Sequence, residues 1–418
     1  MSRPSESLAR RLTLGDAVVV GLGAMIGAGV FAAPGPAAAA AGSWLLVGLA
    51  LAALVAYANA TSSAQLAALY PEAGGTYVYA RERLGDYWGF LAGWAFVVGK
   101  TASLAAMALT FGVYVAPAAA RPAAIAAVAA MAFVNVLGVE KTARLSRVIV
   151  AVVLVALAVA ATGAVAGDLE PANLDVTLPA GPFGILQAGG LLFFAFAGYA
   201  RLATLGEEVV DPTVTIPKAI PRALGIVVAV YAVVLTTALV AVGPETLASA
   251  PAPLVAAVEA GPLAGLAPAV RAGAAVAAAG VLLSLLAGVS RTTLSMARRG
   301  EMPRVLDAVH PRRRTPYRAE IAAAVIVSAI VAVADLRGAI GFSSFAVLTY
   351  YALANASAVT LSAAERRWPR WLGVLGVGLC VLLAFSLPAV AVLGGLGLLA
   401  TGSLVWLATR ARRTAQRP

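Results

Sequence analysis

The sequence GLGAMIGAGVF occupies residues 21–31, inside the first long apolar segment of the chain, 14–40. Four glycines fall within nine residues of this run, and each weakens a helix by about 1 kcal/mol relative to alanine. Close packing of helices through small residues would also use glycine, and this Ala- and Gly-rich chain has such residues throughout. A second irregular segment follows five segments later, and this favours a broken helix over simple helix packing as the explanation of the run.

The second irregular segment is the sixth, 182–206, in which Gly198, Tyr199 and Arg201 interrupt an apolar stretch. Lipid tolerates irregular backbone only where protein or a water-filled cavity covers it. Interruptions in segments one and six are typical of a five-plus-five inverted repeat whose broken helices meet at mid-membrane. Free N–H groups at half-helix N-termini suit a carboxylate, and free carbonyls suit an ammonium. The pair is therefore matched to a zwitterion.

The composition places the whole chain in a membrane. Of its 418 residues, 61% are hydrophobic and 12% are charged, against about 45–50% and 25% in soluble domains. No connection is long enough for a soluble domain, so we expect one membrane domain over 1–418, all-α, with about 12 transmembrane helices. The predicted core repeats are about 14–167 and 182–363, with extra helices at about 371–409. The twelve predicted segments are 14–40, 43–69, 86–116, 121–139, 145–167, 182–206, 219–243, 268–296, 319–335, 338–363, 371–387 and 389–409.

The basic residues set the predicted orientation. With the N-terminus inside, 25 Lys and Arg fall on cytoplasmic segments and three on external ones, so both termini are expected on the cytoplasmic side of the cell membrane. The net charge of +11 then reflects topology and not nucleic-acid binding. The Arg312–Arg314 run is expected to touch anionic membrane lipid. The charged N-terminus lacks a cleavage-site pattern and is interpreted as a retained tail.

Four stretches resemble motifs of the amino acid–polyamine–organocation permeases, in the expected order along the chain. They are GAMIGAGVF (23–31), YPEAGGTYVYARERLGDYWGFLAGW (70–94), FFAFAGYARLATLGEEVVDPTVTIPKAI (193–220) and SRTTLSMARRGEMP (290–303). The resemblance implies a leucine-transporter-type fold with a ten-helix core, two extra helices and alternating access. Two family features do not carry over. Ala200 stands where many members have an acid, and Val153 stands near the position of a helix-5 lysine found in sodium-independent relatives.

The two interruptions supply the expected substrate-binding residues. These are Met25, Ile26, Gly27, Ala28, Gly29, Phe194, Phe196, Ala197, Gly198 and Tyr199. A Lys or Arg at mid-membrane costs at least about 2.5–3.5 kcal/mol, so each is a functional candidate. Lys100 and Arg201 are therefore expected to act in coupling or gating. The alternative for each is a structural ion pair or a side chain that extends to a cavity without a partner. No Asp, Glu or His lies mid-span, which argues against a carboxylate proton relay.

Signatures of enzymes and metal sites are missing from the sequence. The run from Gly93 to Thr101 has five residues between its glycines, whereas a phosphate loop has four. Cys380 is the only cysteine, so intrachain disulfides and Cys-rich metal sites are excluded. We expect no cofactor and no catalytic residue. The expected function is sodium-independent transport of a small-molecule substrate, a neutral amino acid. An amine, polyamine or cationic amino acid permease or exchanger is the alternative, and proton coupling and exchange stay open. A membrane enzyme, scaffold or sensor is the remaining class.

Overall fold

The computed structural model describes residues 12–70, 74–138, 143–175, 181–199, 202 and 209–415, without the side chains of residues 143, 144, 199 and 411–415. Within these ranges the regular structure is helical, apart from one bridge in which the Val210 N–H donates to the Leu12 carbonyl at 2.9 Å. The predicted all-α membrane class is confirmed for the described part of the chain.

Sixteen α-helices lie within the described residues. They are α1 (Leu14–Met25), α2 (Gly29–Ala32), α3 (Pro34–Ala41), α4 (Leu45–Leu69), α5 (Thr76–Leu84), α6 (Asp86–Val115), α7 (Ala120–Val136), α8 (Ala143–Val165), α9 (Gly181–Phe196), α10 (Pro212–Ser249), α11 (Pro253–Glu259), α12 (Ala267–Arg298), α13 (Tyr317–Val333), α14 (Leu336–Val359), α15 (Arg370–Ser386) and α16 (Ala389–Ala415).

Each of the twelve predicted segments overlaps at least one of these helices. Within the described residues, nine helical stretches are long and apolar enough to cross a membrane, and α9 and α15 are shorter apolar helices. The helix α10 continues past the predicted end of the seventh segment but kinks there, because Gly243 has φ of 74°. The short helices α5 and α11 lie in connections between predicted segments. The count of twelve spans stays a prediction.

The helix α1 begins at a capping box. The Asp16 N–H donates to the Thr13 hydroxyl oxygen at 3.3 Å, and the Thr13 N–H donates to the Asp16 carboxylate at 3.1 Å. These two bonds satisfy backbone donors that the first helical turn leaves free. Asp16 also forms an ion pair with Arg147 on α8, at 2.6 Å. The N-terminus of α1, the first interrupted helix, is therefore held against α8.

Two arginines of α5 connect it to the chain beyond α12 and beyond α14. Arg81 and Tyr77 both donate to Glu301, at 2.5 and 2.7 Å, and Glu301 is 1% exposed. Arg83 forms an ion pair with Glu365 at 2.5 Å. Burial, together with the hydrogen bond to Glu301, raises the pKa of Tyr77 above its ordinary range. The hydrogen bond from Arg83 lowers the pKa of Glu365 to about 2. Two motif stretches, 70–94 and 290–303, thus meet in the fold.

Candidate functional site

The first interruption lies where the glycine-rich run predicts it. Helix α1 ends at Met25, and the chain becomes helical again at Gly29, leaving residues 26–28 outside both helices. Ile26 has φ of −76° and ψ of 65°, a non-helical conformation. The Gly27 N–H turns back to the Met25 carbonyl at 2.7 Å. Beyond the break, Ala33 keeps helical dihedral angles between α2 and α3, so the second half runs on to Ala41.

The second interruption begins where α9 ends. The helix stops at Phe196, and Ala197–Tyr199 form a tight 3-10 turn. Arg201 lies outside the described residues, so its expected role in coupling or gating stays a prediction. The side chain of Tyr199 is likewise not described. The structure therefore describes the first half of the sixth predicted segment, which is α9, and the turn that follows it.

Glycines bring the two interruptions into backbone contact. A Cβ added to Gly198 would fall on the Ala24 carbonyl and would lie 2.7 Å from the Met25 backbone nitrogen. A Cβ added to Gly29 would lie 2.7 Å from the Ala195 Cα. Both separations are too short for a side chain, so only glycine allows these backbones to approach so closely.

Tyr231, on α10, joins the two interruptions from the side. Its side chain is 1% exposed, and its hydroxyl lies 2.6 Å from the Met25 carbonyl and 3.2 Å from the Ala195 carbonyl. The single hydroxyl proton is shared between these two acceptors, with the shorter bond to Met25. The ring packs against Phe196 with 5.1 Å between centroids. Tyr231 was not predicted from the sequence, where it is only a lone tyrosine within an apolar span.

Lys100 reaches the second interruption. The side chain is buried, with 7% exposed, and its ammonium donates to the Ala197 carbonyl at 3.3 Å. The Tyr351 hydroxyl, from α14, donates to the same carbonyl at 3.3 Å. Among the described residues, no carboxylate forms an ion pair with Lys100. The lysine singled out at mid-span therefore lies beside the predicted substrate-binding residues, and the structure does not test its role.

The aromatic residues in the last turn of α9, next to the second interruption, are buried or packed against neighbouring rings. Phe196 is fully buried against Tyr231, and Phe194 is 7% exposed. The neighbouring Phe193 meets the Tyr351 ring edge-on, with 5.9 Å between centroids. Met25 and Ile26 are also buried, at 1% exposed each. Residues 25–29 and 193–197 are thus closed off from solvent in this conformation.

Three backbone N–H donors without a partner among the described residues lie at the start of α2, directly after the first interruption. Within the described part of the chain, the N–H groups of Ala28, Gly29 and Val30 donate to no protein acceptor. Such groups carry the positive end of a helix dipole and suit an anion. At the same interruptions, the Met25 carbonyl accepts from the Tyr231 hydroxyl and the Ala197 carbonyl accepts from the Lys100 ammonium. The two interruptions together therefore offer both N–H donors and carbonyl acceptors.

One buried carboxylate lies away from the interruptions, in the first turn of α13. Glu320 is 3% exposed and accepts from the Asn135 amide at 2.6 Å and from the Ser290 hydroxyl. Among the described residues it has no Lys or Arg partner at ion-pair distance. These bonds tie α13 to α7 and α12. Glu320 was not among the predicted site residues, because it is only the second residue of the ninth predicted segment.

Metal-binding and cofactor-binding residues were not expected from the sequence. In the described ranges, no group of three or more His, Cys, Asp or Glu side chains could hold a metal ion. Cys380 is buried. Among the described residues, the polar groups at the interruptions are backbone N–H groups and carbonyls, the hydroxyls of Tyr231 and Tyr351, and the Lys100 ammonium.

Comparison with known proteins identifies the family. The family model for amino acid permeases matches residues 12–410. Uncharacterized transporters of Mycobacterium tuberculosis and Mycobacterium bovis are each 58% identical over 415 residues, which cover 98% of this chain and 94% of the relative. A branched-chain amino acid permease of Bacillus subtilis is 26% identical over 94% of this chain and 87% of its own. A methylthioribose transporter of the same organism is 26% identical over 96% of this chain and 94% of its own. The resemblance of the four motifs is confirmed, and the chain belongs to the amino acid permease family of the amino acid–polyamine–organocation superfamily.

Proposed function

We propose that the protein is a secondary active transporter that moves neutral amino acids across the cell membrane by alternating access, without sodium. The observation that carries the proposal is the backbone contact between the two interruptions, made by Gly198 against Ala24 and Met25. Family membership supports transport over an enzymatic role.

The interruptions supply both halves of a site for a zwitterion. We infer that the free N–H groups of residues 28–30 receive the substrate α-carboxylate, and that carbonyls of residues 25 and 194–198 receive the α-ammonium. Met25 and Ile26 are buried, so a substrate enters this site only when the surrounding helices move apart. That requirement fits a cycle in which the site opens to one side at a time.

The proposed architecture is the leucine-transporter type, with twelve spans in one domain over 1–418. Its repeats are about 14–167 and 182–363, and the helices at about 371–409 are additional. The interruptions at positions one and six support this arrangement. Both termini are proposed to be cytoplasmic, because the predicted cytoplasmic segments carry 25 of the 30 Lys and Arg residues.

Two observations favour a neutral substrate over a cationic one. Ala200 replaces the acid that would hold a cationic side chain in related permeases, and the Lys100 ammonium adds positive potential beside the site. The B. subtilis relative named for branched-chain amino acids agrees with a neutral cargo. The alternative is an amine, polyamine or cationic amino acid permease or exchanger of the same fold. The B. subtilis relative named for methylthioribose shows that the cargo varies among relatives of this chain.

Uptake by proteoliposomes tests the proposal. Purified protein is reconstituted, and uptake of labelled alanine, serine, leucine, arginine and putrescine is measured with sodium and with choline as the external cation. We expect uptake of the neutral amino acids in both media. Robust uptake of arginine or putrescine with none of the neutral amino acids would contradict the substrate class. Uptake abolished by choline would contradict sodium independence, and no uptake of any of the five would contradict the proposal of amino acid transport.

A further inference from the structure

An apolar groove runs between α7 and α13 on the outside of the helix bundle. Its volume is about 430 Å³, and seven of its eight lining residues are apolar. Phe133 and Val325, on its two walls, are 64% and 63% exposed. The lining residues are Ala129, Ala132, Phe133, Val136, Ile321, Ala324, Val325 and Ser328.

A turn carrying three arginines closes one end of the groove. The Thr315 hydroxyl donates to the carbonyl of Val136, the last lining residue on α7, at 3.4 Å. A Cβ added to Gly138 would lie 3.8 Å from the Arg313 Cβ. Arg312, Arg313 and Arg314 are therefore held beside the end of α7, and all three are exposed.

The turn is ordered by its own hydrogen bonds. The His310 N–H donates to the Thr315 carbonyl at 2.8 Å, and the Arg314 N–H donates to the His310 carbonyl at 2.9 Å. The Arg313 N–H donates to His310 Nδ1 at 3.2 Å. Arg314 itself has φ of 54°, which the turn imposes. In the described part of the chain, no carboxylate forms an ion pair with any of the three arginines, so their charge is not neutralised.

We propose that this groove and turn bind one anionic phospholipid, with its phosphate on the three arginines and an acyl chain along the groove. Guanidinium groups bind phosphate oxygens in pairs and remain charged at every physiological pH. The groove walls belong to two helices that pack against each other and that the sequence predicts to cross the membrane, so an acyl chain in the groove would lie along them. Charge at one end and apolar walls along the rest match the two parts of a lipid, whereas free phosphate would leave the groove empty.

Native mass spectrometry of the purified full-length protein tests the site. The protein is delipidated and titrated with phosphatidylglycerol or phosphatidylcholine of identical acyl chains, and with glycerol phosphate. Each basic residue near an anionic surface contributes about 1 kcal/mol, so replacing Arg312, Arg313 and Arg314 together by Gln should weaken phosphatidylglycerol binding roughly a hundredfold. Ala129→Phe, at an exposed position of the groove, should also weaken it and leave the charges in place.

The matched control replaces Arg366, Arg367 and Arg370 together by Gln, which removes the same charge from another basic segment. We expect this control to keep wild-type binding, and we expect glycerol phosphate neither to bind nor to compete. Equal losses in the two triple variants, equal binding of phosphatidylcholine, or undiminished binding in Ala129→Phe would overturn the proposal. A dimer of the wild-type protein that Ala129→Phe dissociates would assign the groove to a second copy and overturn it as well.

Discussion

Removing the Tyr231 hydroxyl tests whether this side chain holds the two interruptions together. Tyr231→Phe keeps the ring and its packing against Phe196, and deletes only the oxygen that lies 2.6 Å from the Met25 carbonyl and 3.2 Å from the Ala195 carbonyl. A hydrogen bond contributes about 0.5–1.5 kcal/mol net, and a buried acceptor left without a partner costs up to about 3 kcal/mol.

The structure narrows this range. The Met25 carbonyl keeps the Gly27 N–H as a donor at 2.7 Å, so it is not left without a partner. The hydroxyl proton is shared, so only one strong bond is lost. We therefore expect Tyr231→Phe to lower the free energy of unfolding by about 1–2 kcal/mol. The same loss acts on the closed conformation during transport, where it corresponds to a factor of about 5–30 in its population.

Thermal unfolding and reconstituted uptake measure the two effects side by side. The control is Thr237→Val on the same helix, because among the described residues the Thr237 hydroxyl bonds only to the carbonyls of Val233 and Val234 in its own helix. Thr237 is half-buried and has no hydrogen bond to another described helix, so this substitution is expected to change stability by less than about 0.5 kcal/mol. If Tyr231→Phe matched Thr237→Val in both unfolding and uptake, the hydroxyl would have no role in joining the interruptions.

Four further predictions concern single residues. Gly27→Leu should close the carboxylate pocket, because a Cβ there already lies 2.5 Å from a methyl group of α12; a folded variant with unchanged KM for uptake would contradict this placement. Lys100→Gln should alter uptake measured at pH 5, 7 and 8 while leaving it independent of sodium, and wild-type rates at all three pH values would remove its role. Glu320→Ala should cost about 1–3 kcal/mol more unfolding free energy than Glu320→Gln, because two buried donors lose their acceptor; equal thermal unfolding of the two variants would refute this. Arg83 stabilises the charged form of Glu365, so the stability from this pair is present above the ordinary pKa of 4.5 and is lost as the pH falls toward about 2. Arg83→Gln should therefore make the free energy of unfolding depend less on pH between about 4.5 and 2. The same pH dependence in the variant and the wild type would show that the pair contributes nothing.

The sequence predicted the interruptions because their cause is local. A run such as Gly21–Gly29 weakens a helix wherever it occurs, and the structure places the break within it, at residues 26–28. The position of Lys100 within its span was also visible from the sequence. Its acceptor was not, because contact with Ala197 depends on how α6 packs against the end of α9.

Tyr231 and Glu320 escaped prediction for related reasons. A lone tyrosine in an apolar span looks the same whether it packs or bonds to another helix, and only the fold brings it to Met25. Glu320 stands near a segment edge, where acids are usually solvated, and its burial depends on Asn135 and Ser290 from other helices. Side chains whose partners lie far along the chain have no local pattern.

The bridge between Leu12 and Val209 ties the chain just ahead of α1 to the chain just ahead of α10. A swing of α1 away from the bundle must either carry residues 209–210 along or break the 2.9 Å hydrogen bond between them. A fusion placed directly ahead of Leu12 would therefore disturb this hydrogen-bonded connection and change the motion that the fusion is meant to report. A pair of distance probes at residues 12 and 209 would instead report when these two parts of the chain separate.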